Sequence, residues 1–428
     1  MISINEALQF VLDQTRAGRA VRVPVLSGQS ETPDALGRIL AEDVTSDIDS
    51  PPHDKAMMDG FALHGDNLTG GDGPSSSHVE LQVIEEVTAG TVPSKTLASG
   101  KASRIMTGAP IPAGASAVVM VERTEFQADP SGESIGTVRI SCADLPSAGE
   151  NILPKATSLA VGQQVLSKGT TLRPIEIGLL SEVGRTGVDV FARPSVAVMT
   201  SGDELVTPDK KPGPGQIRNS NNPMLVALAR RAGGIVKDLG IARDEEGDIR
   251  RLVAEGLTHD ILILSGGVSA GVLDLIPKVL ADAGVEQIFH KVNLKPGKPM
   301  WFGVHESDGR KTLVFGLPGN PVSSLVCFEL FARAAIEKLR GAGDVALPMV
   351  HARLSQAHQQ RGDRPVYFPA AITNGEAASG GLPVATPLPW QGSADLATLA
   401  QADCLIYFPA GKNSYTAGDV VEAYRFDD

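Results

Sequence analysis

Between Pro194 and Leu339 the sequence alternates short apolar runs with stretches of helical period, and this constrains the fold more than any other feature. SVAVM (195–199), IVKDLGIA (235–242), DILIL (260–264) and TLVFGL (312–317) have the length and composition of buried strands. Helical signals separate them. Asn222 and Pro223 stand at cap and first-turn positions of one helix, and Gly233–Gly234 close it. Ile249, Leu252, Val253 and Leu257 mark the inner face of a second, and a third is expected over 275–283. Asn320 and Pro321 cap a long apolar helix running to about Leu339. Strands and helices in this order argue a doubly wound, mostly parallel sheet.

The rest of the chain reads differently. With 428 residues it exceeds what one core usually organises, so two to four domains are expected. Ser3 and Glu6 have capping-box spacing ahead of a helix whose face carries Ile4, Leu8, Val11 and Leu12. Residues 51–150 read as short strands broken by turns, with a hairpin-like QADPSGESIG at 127–136, and residues 156–193 carry further turns and a helix near Ile175–Val183. In the tail, 345–428, the runs Val366–Phe368, Cys404–Phe408 and Val420–Tyr424 point to a small all-β barrel or sandwich.

Net charge sets the terms for any ligand. At −12 the chain opposes nucleic acid or an anionic membrane held by bulk electrostatics, so an anionic ligand needs a local cluster of positive groups. Three widely spaced cysteines, Cys142, Cys327 and Cys404, point to a reducing compartment. No CxxC or HExxH pair supports a zinc site, and no apolar run approaches the ~20 residues that span a bilayer. MISINEALQFVLDQ lacks the pattern of a signal peptide, and a cytoplasmic protein is expected.

Three strand ends carry turn chemistry: TSGDEL (200–205), SGGVSAGVLD (265–274) and GLPGNPVSS (316–324). Open α/β sheets bind ligands outside the carboxyl ends of their strands, where helix N-terminal amides receive anions. Gly266, Gly267 and Gly271 let the backbone approach a phosphate, and Ser265 and Ser269 offer hydroxyls. One such turn is ordinary αβ connection chemistry; three at one edge point to a ligand. Neither GxGxxG nor GxxxxGK[ST] occurs, which disfavours a dinucleotide site or a P-loop. Asp203, Glu204, Asp244, Glu245 and Asp274 gather beside these turns, an all-oxygen set that suits Mg²⁺. The alternative is acids placed to stabilise helix dipoles, and it is strongest for Asp244 and Glu245, which open a helix.

The complementary charges lie in HKVNLKPGKP. Lys291, Asn293 and Lys295 are expected to alternate on one face of a strand, with Lys298 following through a Pro-Gly turn, which argues an anion pocket over solvated surface lysines. SPPHDKAMMDGFAL (50–63) places Asp59–Gly60 in a tight turn, and RIMTGAPIP (104–112) offers the Thr107 hydroxyl and an open amide at Gly108.

Together these motifs resemble the molybdenum insertases (molybdopterin molybdenumtransferases, the family that includes the E domain of gephyrin). The matching stretches are D-x-x-x-M-D-G-F-A around Asp59, M-T-G-A-P-x-P at 106–112 and S-G-D-E-L at 201–205. S-G-G-V-S-x-G-x-x-D at 265–274, K-P-G-K-P at 295–299 and G-L-P-G-N-P at 316–321 complete the set, in family order over nearly the whole chain.

The resemblance implies a multidomain α/β plus β fold in four parts. Residues 1–26 with 45–50 and 155–193 would form an extended N-terminal region, and 27–44 with 51–154 an inserted, mainly β domain. Residues 194–340 would be the doubly wound molybdopterin-binding domain and 341–428 a β-barrel-like C-terminal domain. It also implies a transferase that takes adenylylated molybdopterin and molybdate, uses Mg²⁺, releases AMP and leaves molybdenum on the dithiolene. Members are homodimers with a cleft shared between chains, and the molybdopterin adenylyltransferase is a candidate partner. Asp59, Glu204 and Asp274 would be catalytic, with Glu204, Asp244 and Asp274 as metal ligands. Thr107, Gly108, Ser265, Gly266, Gly267, Ser269, Lys291, Lys295, Lys298, Pro318, Gly319 and Asn320 would bind substrate.

The chain departs from the family at Leu153, Ala156 and Ser158, where an acid is expected at 158. It departs again at Asn219, where a D-[ST]-N motif has lost its carboxylate, and at Ala56 and Met57, which replace a small Ser-Ala pair. Two further readings therefore stay open: a paralogue that acts as a scaffold or interaction protein, and a hydrolase of another adenylylated substrate.

Overall fold

The computed structural model describes residues 1–26, 34–69, 77–132, 134–267, 275–360, 362–375 and 381–426. They divide into two compact units, one of Met1–Glu42, Lys168–Arg173 and Gly187–Asp428, the other of Asp43–Ser167 and Pro174–Thr186.

The first unit contains the doubly wound sheet. Its strands are β1 (Ser195–Ser201), β2 (Ile235–Ala242), β3 (Ile261–Ser265), β4 (Val285–His290), β5 (Trp301–Ser307) and β6 (Arg310–Leu317), in spatial order β2-β1-β3-β6-β5-β4. The pairs β2–β1, β1–β3 and β3–β6 are parallel, whereas β5 runs antiparallel to both neighbours. Strand alternation feeds two cores. Val196, Val198, Ile261 and Ile263 face one side; Ala197, Met199, Leu262 and Leu264 face the other. The first side is covered by α1 (Ile4–Gln14), α2 (Asn221–Arg231) and the segment α5 (Pro321–Cys327) to α6 (Arg333–Leu339); α3 (Glu246–Gly256) and α4 (Ile276–Asp282) cover the second. The Ser3–Glu6 capping box is formed at α1.

Three sequence expectations shift. Helix α2 starts at Asn221 behind Ser220, because Asn219 Oδ1 accepts the Asn222 amide at 3.1 Å while Asn222 Nδ2 donates to Asp238 at 2.7 Å. The long C-terminal helix holds a π turn, Phe328–Ala332, between α5 and α6. Strand β4 ends at His290, and Lys291 takes φ 73°, so Lys291, Asn293 and Lys295 do not alternate along a strand. The chain folds back there, with Val292 N–H donating to Lys298 O at 3.0 Å and Asn293 N–H to Ile2 O at 2.8 Å.

The tail forms a closed barrel of Met349–Leu354, Val384–Pro387, Val366–Thr373, Cys404–Phe408 and Val420–Arg425. It is tied to the α/β part: Lys295 N–H donates to Pro365 O at 3.0 Å, and Tyr367 N–H to Lys295 O at 2.9 Å.

The second unit is built on a six-stranded, mainly antiparallel sheet, ordered Ala115–Met120, Gly60–His64, Lys101–Ile105, His78–Val87, Gly136–Ser141, Thr124–Ala128. It also contains a helix, Pro174–Glu182. Gly60 opens a strand here in place of a tight turn. A Cβ on it would lie 1.8 Å from the Val119 carbonyl oxygen, so the strand pairing requires glycine.

Candidate functional site

The strand register brings the three turns to one edge. Ser201 pairs beside Ala242, Thr200 beside Ser265, and Ser265 beside Leu317, so the carboxyl ends of β2, β1, β3 and β6 lie in a row. At about 4.8 Å per strand this row is roughly 14 Å long. The strand order reverses between β2 and β3 around β1, which is the switch point where such sheets take ligands.

A buried polar network holds the middle of the row. Ser265 is 2 % exposed; its hydroxyl accepts from Asn221 Nδ2 at 2.9 Å and donates toward Pro318 O at 3.2 Å. Asn221 Nδ2 also donates to Gly319 O at 2.7 Å, and Ser324 Oγ donates to Pro318 O. The Ser265 hydroxyl thus holds strand ends together. Gly266 and Gly267 adopt φ 95° and 62°, and a Cβ on Gly266 would lie 2.6 Å from Ser201 O. Below this turn, Ser201 Oγ and Asn221 Oδ1 are buried without a hydrogen-bond partner among the described residues.

At the β1–β2 end stand the acids. Asp203 N–H donates to Asp244 Oδ2 at 3.3 Å and Asp244 N–H to Asp203 Oδ1 at 3.2 Å, leaving the second oxygen of each without a donor among the described residues. The exposed Glu204 carboxylate folds over Gly202, where an added Cβ would lie 2.5 Å from its Oε2. These oxygens suit a hard cation. Among the described residues no three His, Cys, Asp or Glu side chains gather as a metal site. Ser269, Gly271 and Asp274 lie outside the described residues.

The opposite end is cationic. A cavity of about 780 Å³ lies between the Lys295–Pro299 turn, Pro318, Asn320 and the barrel, and Lys298 and Arg364 line it together with Lys295. No carboxylate appears among its described lining residues. Arg364 Nη1 donates to Leu294 O at 2.9 Å, and Asn320 Nδ2 donates to Ser393 Oγ at 2.9 Å. Gly297, at φ 125°, has no room for a side chain, since a Cβ would lie 2.7 Å from Cys327 Sγ. Lys291 is not among the lining residues. Arg364, Ser393, His358, Gln360 and Trp390 were not singled out from sequence. They lie 59–98 residues beyond Lys295–Pro299 and carry no motif that links them to it.

In the second unit, Asp59 and Thr107 form a pair. The Thr107 N–H and Oγ1 both donate to Asp59 Oδ1 at 2.7 Å, and these bonds hold the exposed carboxyl below its ordinary range. Gly108 does not offer an open amide, because its N–H donates to Ala56 O at 2.8 Å. Met57 and Met58 beside the pair are 48 % and 41 % exposed.

Comparison with known proteins gives a consistent result. Residues 2–184 match the profile described as MoeA N-terminal region (domain I and II), 197–338 that of a probable molybdopterin binding domain, and 351–426 the MoeA C-terminal region (domain IV). A molybdopterin molybdenumtransferase of Staphylococcus aureus is 33 % identical over 425 residues, covering 98 % of this chain and 94 % of its own. Its Staphylococcus epidermidis counterpart is 33 % identical over 422 residues with the same coverage, 98 % and 94 %. Two solved structures of the molybdopterin biosynthesis MoeA protein from Pyrococcus horikoshii superimpose with TM-scores of 0.81 and 0.80 at 29 % and 27 % identity, covering 100 % of both chains.

Proposed function

Because the chain belongs to the molybdopterin molybdenumtransferase family, a transferase of molybdenum-cofactor biosynthesis, we propose that its carboxyl edge splits adenylylated molybdopterin in the presence of molybdate and Mg²⁺, releasing AMP. The observation that carries this is the polarity of the edge: at one end carboxylate oxygens without a donor among the described residues, and at the other a cationic cavity with no carboxylate among its described lining residues. A phosphoanhydride placed between them meets a cation site on one side and fixed positive charge on the other.

The residues divide the work. Lys295, Lys298 and Arg364 hold the oxyanion, phosphate or molybdate, by charge-assisted hydrogen bonds. The glycines at 266 and 267 bring backbone close to the phosphates, and the Ser265 network keeps the strand ends in register. Glu204 and Asp244 would hold Mg²⁺ with Asp274, and the ion would neutralise charge on the pyrophosphate. Cleavage of this bond needs positioning and charge compensation more than a covalent nucleophile. A second copy of the chain supplies Asp59 and Thr107, an exposed and pre-fixed acid beside two exposed methionines.

The test is AMP release from adenylylated molybdopterin under anaerobic conditions, with and without molybdate. Release that depends on molybdate, with molybdenum retained on the pterin, is the expected result. Release indifferent to molybdate would identify a hydrolase, and no release from protein that binds AMP would identify a scaffold. The shared cleft has its own check. Mixing Asp59→Ala chains with Lys298→Ala chains, each impaired alone, should restore part of the activity, and no recovery in a mixed dimer would sink that arrangement.

A further inference from the structure

The cationic cavity is larger and more aromatic than an oxyanion requires. About 780 Å³ is a volume typical of pockets for drug-sized ligands. Beside its three cations the cavity is lined by His358, Phe368 and Trp390, each partly exposed. The rings brace one another. Trp390 meets Phe368 edge-on, with centroids 5.2 Å apart at 90°, and His358 meets Phe368 at 4.7 Å and 71°. His358 also stacks on Phe408 at 4.3 Å and 6°. Burial pushes the His358 pKa down, so near neutral pH this ring adds a flat surface and no charge.

Two polar atoms in this wall lack partners among the described residues. Gln360 is 7 % exposed; its Nε2 donates to Arg364 O at 3.1 Å, which fixes the amide orientation and leaves Oε1 unsatisfied. Trp390 Nε1 is likewise buried and has no partner among the described residues. An aromatic cluster serving only the barrel core has no use for an orphan acceptor and an orphan donor, both of which are costly when buried. Of the nearby tyrosines, Tyr424 OH donates to Glu422 Oε2 at 2.9 Å, whereas Tyr415 OH, against Phe408, is buried without a partner among the described residues. Gln360 and Trp390 differ from Tyr415 in lining the cavity.

We propose that His358, Phe368 and Trp390 form a platform for a planar, N–H-bearing heterocycle of the substrate, with Gln360 Oε1 and Trp390 Nε1 as its hydrogen-bonding edge and Lys295, Lys298 and Arg364 gripping the phosphate it carries. This rests on the anion-binding role given to the cavity above and extends it to ring recognition. The substrate offers two such rings, a pterin and an adenine, and the experiment separates them.

The chain contains two tryptophans. Trp301 Nε1 donates to Gln287 Oε1 at 2.8 Å within the sheet, so the two indole N–H signals of the ¹⁵N-labelled protein report different places. Neopterin monophosphate, AMP and inorganic phosphate are titrated separately. At least one ring-bearing ligand should move the Trp390 signal, leave Trp301 in place and bind about tenfold or more tighter than phosphate. Whichever does so names the ring. Trp390→Ala should erase that margin while leaving phosphate affinity unchanged, and Trp390→Phe should retain part of it. Ring ligands that bind no tighter than phosphate, or leave the Trp390 signal unmoved, overturn the platform. If Lys298→Ala leaves phosphate affinity unaltered, the anion role falls and the platform with it. A ring ligand that shifts Trp390 in a protein releasing no AMP supports the platform and counts against the insertase reading alone.

Discussion

The two ends of the carboxyl edge hold their charges in opposite ways. At the cationic end the charged turn is stitched to the barrel by backbone bonds on both sides of Lys295, and Arg364 is braced on the Leu294 carbonyl. At the acidic end Glu204 and Asp244 are exposed, and among the described residues the Asp244 carboxylate accepts only the Asp203 backbone amide. Fixed positive charge is useful before the ligand arrives, because it need not reorganise during the reaction. Loosely held carboxylates keep oxygens for a cation that comes with the substrate. Charge removal should therefore have separable costs at the two ends.

The largest effect should come from Arg364→Ala. Losing a preorganised charged donor should lower kcat/KM for AMP release by ~10²–10³-fold. Freeing the Leu294 carbonyl should also cost about 1–3 kcal/mol in urea unfolding. Lys298→Ala sharpens the point, because Lys298 is exposed and makes no ion pair among the described residues. It should lose activity on a similar scale with stability unchanged. Full activity in Lys298→Ala would break the comparison at its stronger end.

Ser265→Ala probes the middle of the edge. Its hydroxyl is buried among Asn221, Ser324 and Pro318, so removal should destabilise the protein by about 1–3 kcal/mol. A stable variant would mean that the network adds nothing to holding the strand ends. At the acidic end, Glu204→Gln and Asp244→Asn should stay within about 0.5 kcal/mol of the parent, as exposed substitutions do. Their AMP release should weaken at low Mg²⁺ and partly recover as Mg²⁺ rises. Recovery that ignores Mg²⁺ would assign these acids a structural task.

These contrasts were unevenly legible in the sequence. The sheet could be read because each apolar run stops at a glycine turn and the intervening helices keep their period; the strand ends at Ser201, Ser265 and Leu317 stand where that pattern places them. The tail was legible as β, but closure into a barrel depends on long-range pairing such as Met349 with Tyr424, which no local signal encodes. The same pairing carries Arg364 and Trp390 to the Lys295–Pro299 turn, so the aromatic half of the cavity was invisible while its lysines were not. Lys291 misled for a local reason: alternation implied a strand, whereas its φ of 73° turns the chain back toward Met300 and Ile2. Asn219, the missing acid, is 5 % exposed, with Nδ2 on Thr200 Oγ1 at 2.8 Å and Oδ1 receiving the Asn222 amide. An aspartate could accept the Asn222 amide in the same way, and the Thr200 contact if that hydroxyl turned from the Gly240 carbonyl to donate. Asn219 therefore holds the same two neighbours by accepting from one and donating to the other.

Asp59 separates the two variables that the edge confounds, since it is exposed like the acidic end yet held firmly like the cationic end. Both Thr107 bonds favour its ionised form, so its folded pKa lies below the ordinary carboxylate value near 3.9. A depressed pKa contributes stability above the unfolded value, and this is lost as pH falls through the folded one. The window is therefore acidic, and nothing should change near neutrality. Thr107→Val keeps the backbone N–H and removes only the hydroxyl, so the Asp59 titration should move part of the way up toward the ordinary value. A carboxyl-carbon NMR titration of both proteins measures this directly. An unmoved titration would mean the backbone N–H alone sets the acid. A full return to the ordinary value would mean the hydroxyl also keeps the N–H in line. Only the intermediate result shows a carboxylate held firmly by hydrogen bonds without being buried, the smallest effect here and the one that distinguishes fixation from burial.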